Sequence, residues 1–273
     1  MGYLCPRFLK KHKMKRIVKK YGITGVSMDM DYHITPSGII LYIQETIAYF
    51  LTSHNVAAFD ILPEGRLWVI SDYNVSLEAK QPYWPAEVSV ELWLGERGGA
   101  RAYFDYVMRD GKDEIFARGT SCWSMIDANT HRPLRLDDHI SHIEVEPEMV
   151  FGSHAKADFP TPETLFAEYD YKTLTTDVDF NSHITNRAYL MCAMGGVDLD
   201  FERRHNAKRI YMKFLHETFQ GETLHCKAFS CKDAPQTICY QIFNDSQTEV
   251  CRIWIEWQDR EFDLYAVKKG LVR

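Results

Sequence analysis

Between Gly38 and about Leu51 the chain puts apolar bulk at most helical positions: Ile39, Ile40, Ile43, Ile47, Phe50 and Leu51. Thr35 is placed to cap such a helix, and Pro36 suits its first turn, where a missing N–H costs nothing. A helix this apolar needs to be enclosed rather than laid on a surface. The segments that follow can supply the enclosure. Arg66–Leu77, Glu87–Leu94, Arg101–Met108 and Glu114–Ile126 read as strands, with turns at Gly98-Gly99 and Asp110-Gly111. An antiparallel sheet curled around one long helix buries both. Ile23–Ile34, ahead of the helix, reads as a strand with a polar break.

The same order of elements returns in the second half. A strand over Leu165–Thr175 leads through a polar turn to a helix starting near Ile184. Strands follow at Ile210–His216, Thr223–Ser230, Thr237–Asn244 and Glu249–Gln258. Ile184, Ala188 and Met191 share one helical face, and Asn181 or Ser182 is placed to cap it. Between the halves, residues 127–163 are rich in Pro, His and Asp and show no sustained period; they read as a linker with a short helical turn. The expected fold class is therefore α+β: two tandem hot-dog units, each a curled antiparallel sheet around a long helix. The N-terminal unit spans 21–128, a linker 129–163 and the C-terminal unit 164–260. The halves share little identity, so the repeat is one of element order. Their sheets can pair as an internal pseudo-dimer, leaving a monomer or a homodimer of such chains. Residues 1–20 form a basic leader, with seven Lys and Arg between Lys10 and Lys20. It reads as a solvated arm.

A net charge of −6 gives no general attraction to nucleic acid. No apolar run reaches the length of a membrane span, and the N-terminus lacks a secretory apolar core. The seven cysteines are odd in number and contain no C-x-x-C, which fits reduced thiols in a cytosolic protein. The eleven histidines are scattered without metal-ligand spacing, so neither a metal nor another cofactor is expected.

Chemistry concentrates in Thr175–Leu190, at the second helix entry, where Asp179, Asn181 and His183 alternate with other residues. An acid, an amide and an imidazole gather where a loop becomes a helix, and helix-start N–H groups favour developing negative charge. For acyl transfer to water, a carbonyl has to be polarised and a water deprotonated. An imidazole can act as base, given an orienting carboxylate from another strand.

The D-x-N-x-H run, followed by Asn186 and Tyr189, resembles the signature of acyl-acyl carrier protein thioesterases. That resemblance implies a double hot-dog enzyme releasing free fatty acid from its carrier in fatty acid biosynthesis. It also implies a later Glu, and Glu217 lies 34 residues after His183. Gln44-Glu45-Thr46, Leu67-Trp68-Val69-Ile70, Glu91-Leu92-Trp93 and Arg118-Gly119-Thr120-Ser121-Cys122-Trp123 resemble further family segments, in order, over residues 23 to 258. The family's Cys after the Glu is replaced by Thr218, which argues for water activation rather than a thiol nucleophile. The implied catalytic residues are Asp179, Asn181, His183 and Glu217, with either His183 or Glu217 as the base. The first half shows no counterpart of Asn181 and His183, so its helix is expected to line the acyl chain through Ile39, Ile43 and Ile47. The implied partner is acyl carrier protein. Arg203, Arg204, Lys208, Arg209 and Lys213 are a candidate docking cluster, although a solvated face is the commoner outcome for such charges. The competing readings are an acyl-CoA thioesterase with the same site and a non-catalytic acyl-binding protein.

Overall fold

A computed structural model describes residues 15–179 and 183–260. Strand β1 (Arg16–Gly22) is followed by α1 (Pro36–Ser53), the short α2 (Ala58–Ile61) and a 3-10 turn at Leu62–Glu64. Then come β2 (Arg66–Leu77), β3 (Glu87–Gly98), β4 (Arg101–Arg109) and β5 (Ile115–Asp127). The connection holds one helical turn, α3 (Asp137–Ile140), before β6 (Pro162–Lys172). The second half continues with a 3-10 turn at Thr175–Asp177, α4 (Asn186–Met194) and α5 (Leu199–Arg204). It closes with β7 (His205–Phe214), β8 (Thr223–Cys231), β9 (Thr237–Phe243) and β10 (Glu249–Asp259).

The ten strands form one antiparallel sheet in the order β1-β3-β4-β5-β2-β7-β10-β9-β8-β6. Read from either edge inward, the two halves have the same strand order. They meet where β2 pairs with β7, with Asn74 opposite Tyr211 at the middle of the seam. The hydrogen-bonded sheet therefore runs unbroken through both hot-dog halves, as the pseudo-dimer reading requires.

Helix α1 begins as its sequence dictates. Thr35 Oγ1 accepts the Gly38 N–H at 3.0 Å, and Pro36 occupies the first turn. Gly38 is required by close packing: a Cβ there would meet the Ser27 carbonyl oxygen at 2.6 Å. Ile39, Ile40, Ile43, Ile47 and Phe50 are all buried. α4 is half as long, nine residues against eighteen, and touches α1 across the centre. Its cap is Thr185, which accepts from Ala188 N, rather than Asn181 or Ser182. Asn181 and Ser182 lie outside the described residues.

Two expectations need correction. Ile23–Ile34 forms no continuous strand, because Asp29 folds it into a turn by accepting the Asp31 and His33 amides, both at 2.9 Å. The basic stretch is not all solvated leader: Arg16–Gly22 is a strand paired with β3, and Arg16 lies over the Trp93 ring and beside Glu91. The lysines before Lys15 lie outside the described residues. The linker is tied down. Trp93 Nε1 donates to the Glu148 carbonyl at 2.8 Å, and Arg97 donates to the carbonyls of Ile140 and Ile143. His154 is clamped between Asp105 and Glu96 at 2.7 and 2.8 Å. The six described cysteines are buried and free of disulfides. Among the described residues, no helix is long and apolar enough to cross a membrane.

Candidate active site

The turn between β6 and α4 is held by two of its own carboxylates and by backbone bonds. Asp177, buried, accepts the Leu174 amide at 2.9 Å and the Tyr171 hydroxyl at 3.1 Å. The Asp179 amide donates to the His183 carbonyl at 2.9 Å, and the His183 amide returns a bond to Asp179 Oδ1 at 3.2 Å. The segment after β7 closes on this loop: Ile184 N donates to the Thr218 carbonyl at 2.9 Å, and Phe219 packs edge-on against the His183 ring. This pairing brings two residues 34 positions apart face to face. His183 Nε2 lies 3.7 Å from Glu217 Oε2, with both side chains partly exposed. That is an ion-pair distance, longer than a direct hydrogen bond, and it lets both groups face one small molecule.

The pair opens on a cavity of about 690 Å³ whose walls come from both halves. The second half contributes Asp179, His183, Asn186, Tyr189 and Leu215–Thr218, and the first half contributes α1 from Gln44 onward, together with Trp68–Ser71, Trp123 and Ile126. Exposed Phe59 and His131 also belong to this lining, on its solvent side. The second half supplies the carboxylates and the His183 ring, and the first half supplies mostly apolar wall.

Asp179, His183 and Glu217 are brought together as the motif spacing implies, while Asn181 lies outside the described residues. Of the expected chain-binding isoleucines, only Ile47 lines the cavity. Ile39 and Ile43 are core residues packed elsewhere around α1. The basic cluster does not gather at this opening either. Arg203 faces Asp31, Lys208 pairs with Glu256, Arg209 bonds Asn74 beside Trp254, and none of the five lines the cavity.

Several wall residues that the sequence marked only by their place in short motifs line the cavity. Thr218 is fully buried, and its hydroxyl lies beside the Tyr189 phenol. Burial pushes the Tyr189 phenol well up, so it keeps its proton. Trp68 and Trp123 were visible only as members of short matching segments; nothing in their spacing marks them as facing one space.

The first half does have a counterpart of the Asp179–His183 turn. Asp29 N donates to the His33 carbonyl at 2.8 Å, and His33 N donates to Asp29 Oδ1 at 2.9 Å. Ile34 N donates to the Pro82 carbonyl at 3.1 Å, as Ile184 does to Thr218. His33 and His183 make the corresponding bridges, to Tyr83 and Phe219. In this register Asp31 stands where the second half has Asn181, and Gln81 where it has Glu217. Acid and amide are exchanged, so no carboxylate faces His33 from the Gln81 position.

Two family models match the chain: the acyl-ACP thioesterase N-terminal domain over residues 11–143 and the acyl-ACP thioesterase C-terminal domain over residues 161–259. Among curated proteins, the chain is 23% identical over 167 residues to oleoyl-acyl carrier protein thioesterase 2, chloroplastic, of Arabidopsis thaliana, covering 57% of this chain and 45% of that one. It spans about half the length of the curated relatives it matches. Its fold is that of an acyl-ACP thioesterase from Bacteroides thetaiotaomicron, with a TM-score of 0.78, 15% identity, and coverage of 89% of this chain and 98% of that one. A 12:0-ACP thioesterase from Umbellularia californica superposes with a TM-score of 0.77 at 17% identity, covering 92% and 100%.

Proposed function

The chain belongs to the acyl-ACP thioesterase family, and on that premise we propose that it hydrolyses acyl-acyl carrier protein thioesters to free fatty acid and carrier protein, in fatty acid biosynthesis. The observation that carries the reading is the approach of His183 to Glu217 on a cavity whose wall both halves supply. Each group has the position to hold one water against a thioester carbonyl delivered from the mouth.

In the reaction, Glu217 and His183 orient a water and take its proton. The water oxygen bonds to the carbonyl carbon, and the C=O pair moves onto oxygen. Collapse breaks the C–S bond, and the sulfur leaves with the electron pair and recovers the proton from the pair. Asn181 is assigned, from its place in the motif, to orient the thioester, and Asp179 holds the turn through the His183 amide. The oxyanion forms beside the start of α4, where helix N–H dipoles favour negative charge. No thiol is needed, and the residue after Glu217 is Thr218. The acyl chain runs along Ile47, Leu51, Trp68 and Ile70, so the first half binds the chain and the second half does the chemistry.

The test is turnover of a series of acyl-carrier-protein thioesters by the purified protein, with the released acids identified. Faster cleavage of the matching acyl-CoA series would assign the carrier differently; binding of both series without release of acid would sink the hydrolase reading.

A further inference from the structure

The first-half copy of the turn is buried and occupied. Its equivalent of the active-site cavity has shrunk to about 20 Å³, and the chain's own Arg260 lies in it. Arg260 Nη2 donates to Asp29 Oδ2 at 2.8 Å, Nη1 lies 3.8 Å from Asp31 Oδ2, and the same Nη1 is 3.5 Å from His33 Nδ1. Arg260 Nε donates to Asn206 Oδ1 at 2.9 Å, and Asn206 in turn donates to the Ala79 carbonyl. The side chains of Arg260, Asp29 and Asp31 are 11%, 7% and 12% exposed, so these charges are largely removed from water.

We propose that the Asp29–His33 turn is a guanidinium-binding site: a closed copy of the catalytic turn that has taken Arg260 as its internal ligand and fastens the end of β10 to the first half. The exchange of acid and amide between the two turns is what this ligand requires. Where the second half carries the neutral Asn181, the first carries Asp31, which adds the second carboxylate a guanidinium fork can face. Where the second half carries Glu217, the first carries Gln81, which is buried with its Oε1 unpartnered and lines the same small space. Glu202, from α5, borders the space as well, and burial first, then Asp29 and Asp31, push its carboxyl up, while Arg260 opposes the rise. Arg203 approaches Asp31 from outside at 3.8 Å. Three acids thus converge on the turn against two guanidinium groups, and taking Arg260 away leaves buried carboxylates without their fork, a situation costly in itself. The Arg260 amide is held by the Arg204 carbonyl at 2.8 Å, so the lock joins the first-half turn, α5 and the last strand at one point.

The experiment uses the full chain and the variants Arg260→Ala, Arg260→Lys and His33→Ala. Thermal unfolding is followed with and without ethylguanidinium chloride, with tetramethylammonium chloride as the control cation. Arg260→Ala is expected to melt roughly 6–12 °C below wild type. Millimolar ethylguanidinium should restore part of that loss, and tetramethylammonium should not. Arg260→Lys, which keeps the charge without the planar fork, should lie between the two, and it carries the test if the alanine variant does not fold. His33→Ala, which takes away the ring beside Arg260 Nη1, should also melt below wild type, and a melting temperature above wild type would count against the site. A melting temperature unchanged in Arg260→Ala or Arg260→Lys would overturn the proposal, as would equal rescue by both cations. The melting and rescue arms do not depend on hydrolysis, so a wild-type protein inactive on every thioester would fail the functional reading alone.

Discussion

Glu217 Oε2 stands 3.7 Å from His183 Nε2, and the two reach each other only because the segment after β7 hydrogen-bonds to the turn before α4. In the proposed reaction, removing either group takes away proton transfer and water placement together. Glu217→Gln and His183→Ala should each lower kcat by roughly 10²–10⁴-fold with the fold intact. The double variant should lose little beyond the worse single, because the pair acts as a unit. Steady-state kinetics on an acyl-carrier-protein thioester, beside thermal melts, check this. Near-wild-type turnover by Glu217→Gln would remove that residue from the mechanism.

Thr218 presents a buried hydroxyl beside the Tyr189 phenol on the same wall. Thr218→Val keeps the shape and deletes the donor. If that hydroxyl stabilises the oxyanion, kcat should drop roughly 10²-fold or more with KM little changed, and Thr218→Ser should recover most of it. Equal kcat for the valine variant and the wild type would make Thr218 a packing residue.

Ile47 is the one predicted isoleucine that reaches the cavity. Ile47→Trp adds bulk along the proposed chain path and should shift released acids toward shorter chains. Ile43→Trp, buried away from the cavity, should cost stability, on the order of 1–3 kcal/mol from overpacking, without that shift. A product profile for each, read against its melting temperature, separates the two effects.

Asp72 sits buried at the seam between the halves, opposite Lys213. Burial raises its carboxyl to about 6, against the pull of Lys156, Arg101 and Lys213. Because the folded value lies above the unfolded one, the folded state binds more protons between about pH 4 and 6, and stability falls as pH rises through that window. Asp72→Asn should therefore gain stability on the order of 2–3 kcal/mol at pH 8 and little at pH 4. Denaturant melts at the two pH values test it.

His154 has a carboxylate at each ring nitrogen, Asp105 at 2.7 Å and Glu96 at 2.8 Å. Two acceptors around one imidazole call for the doubly protonated ring. Burial works against that charge, but the hydrogen bonds to Asp105 and Glu96 outweigh it and raise the His154 value. The sign is that of a raised base: the clamp's stability is complete below about pH 6.5 and is lost as pH climbs through the folded value. His154→Gln should flatten the alkaline decline of the melting temperature without touching the Asp72 window below it.

Local chemistry made much of the fold legible. Thr35 and Pro36 announce α1 because capping and the first-turn proline are decided within four residues, and Asp110-Gly111 announces its hairpin for the same reason. What failed was set at longer range. Thr185 caps α4 instead of Asn181 or Ser182 because the Thr218 and Asp177 carbonyls fix where the helix can start. Lys19 and Lys20 belong to a strand because β3 offers an edge to Arg16–Gly22, which charge counting does not reveal. Ile43 and Ile47 are equal in sequence and are divided only by the direction in which α1 crosses the sheet. The twin of the Asp179–His183 turn escaped notice because just Asp29, His33, Ile34 and Thr35 match between the halves, and its shape is kept by one shared Asp and by backbone bonds that the sequence does not display.

The seam of β2 with β7 has a consequence for how such a chain can change. In an assembly of two identical subunits every substitution appears at both turns, so an acid good for gripping an arginine would also enter the catalytic turn. Joined in one polypeptide, the two turns answer to different demands. Asp31 and Gln81 can be chosen for anchoring while Asn181 and Glu217 are kept for reaction, and the symmetry that built the sheet no longer obliges its two turns to agree.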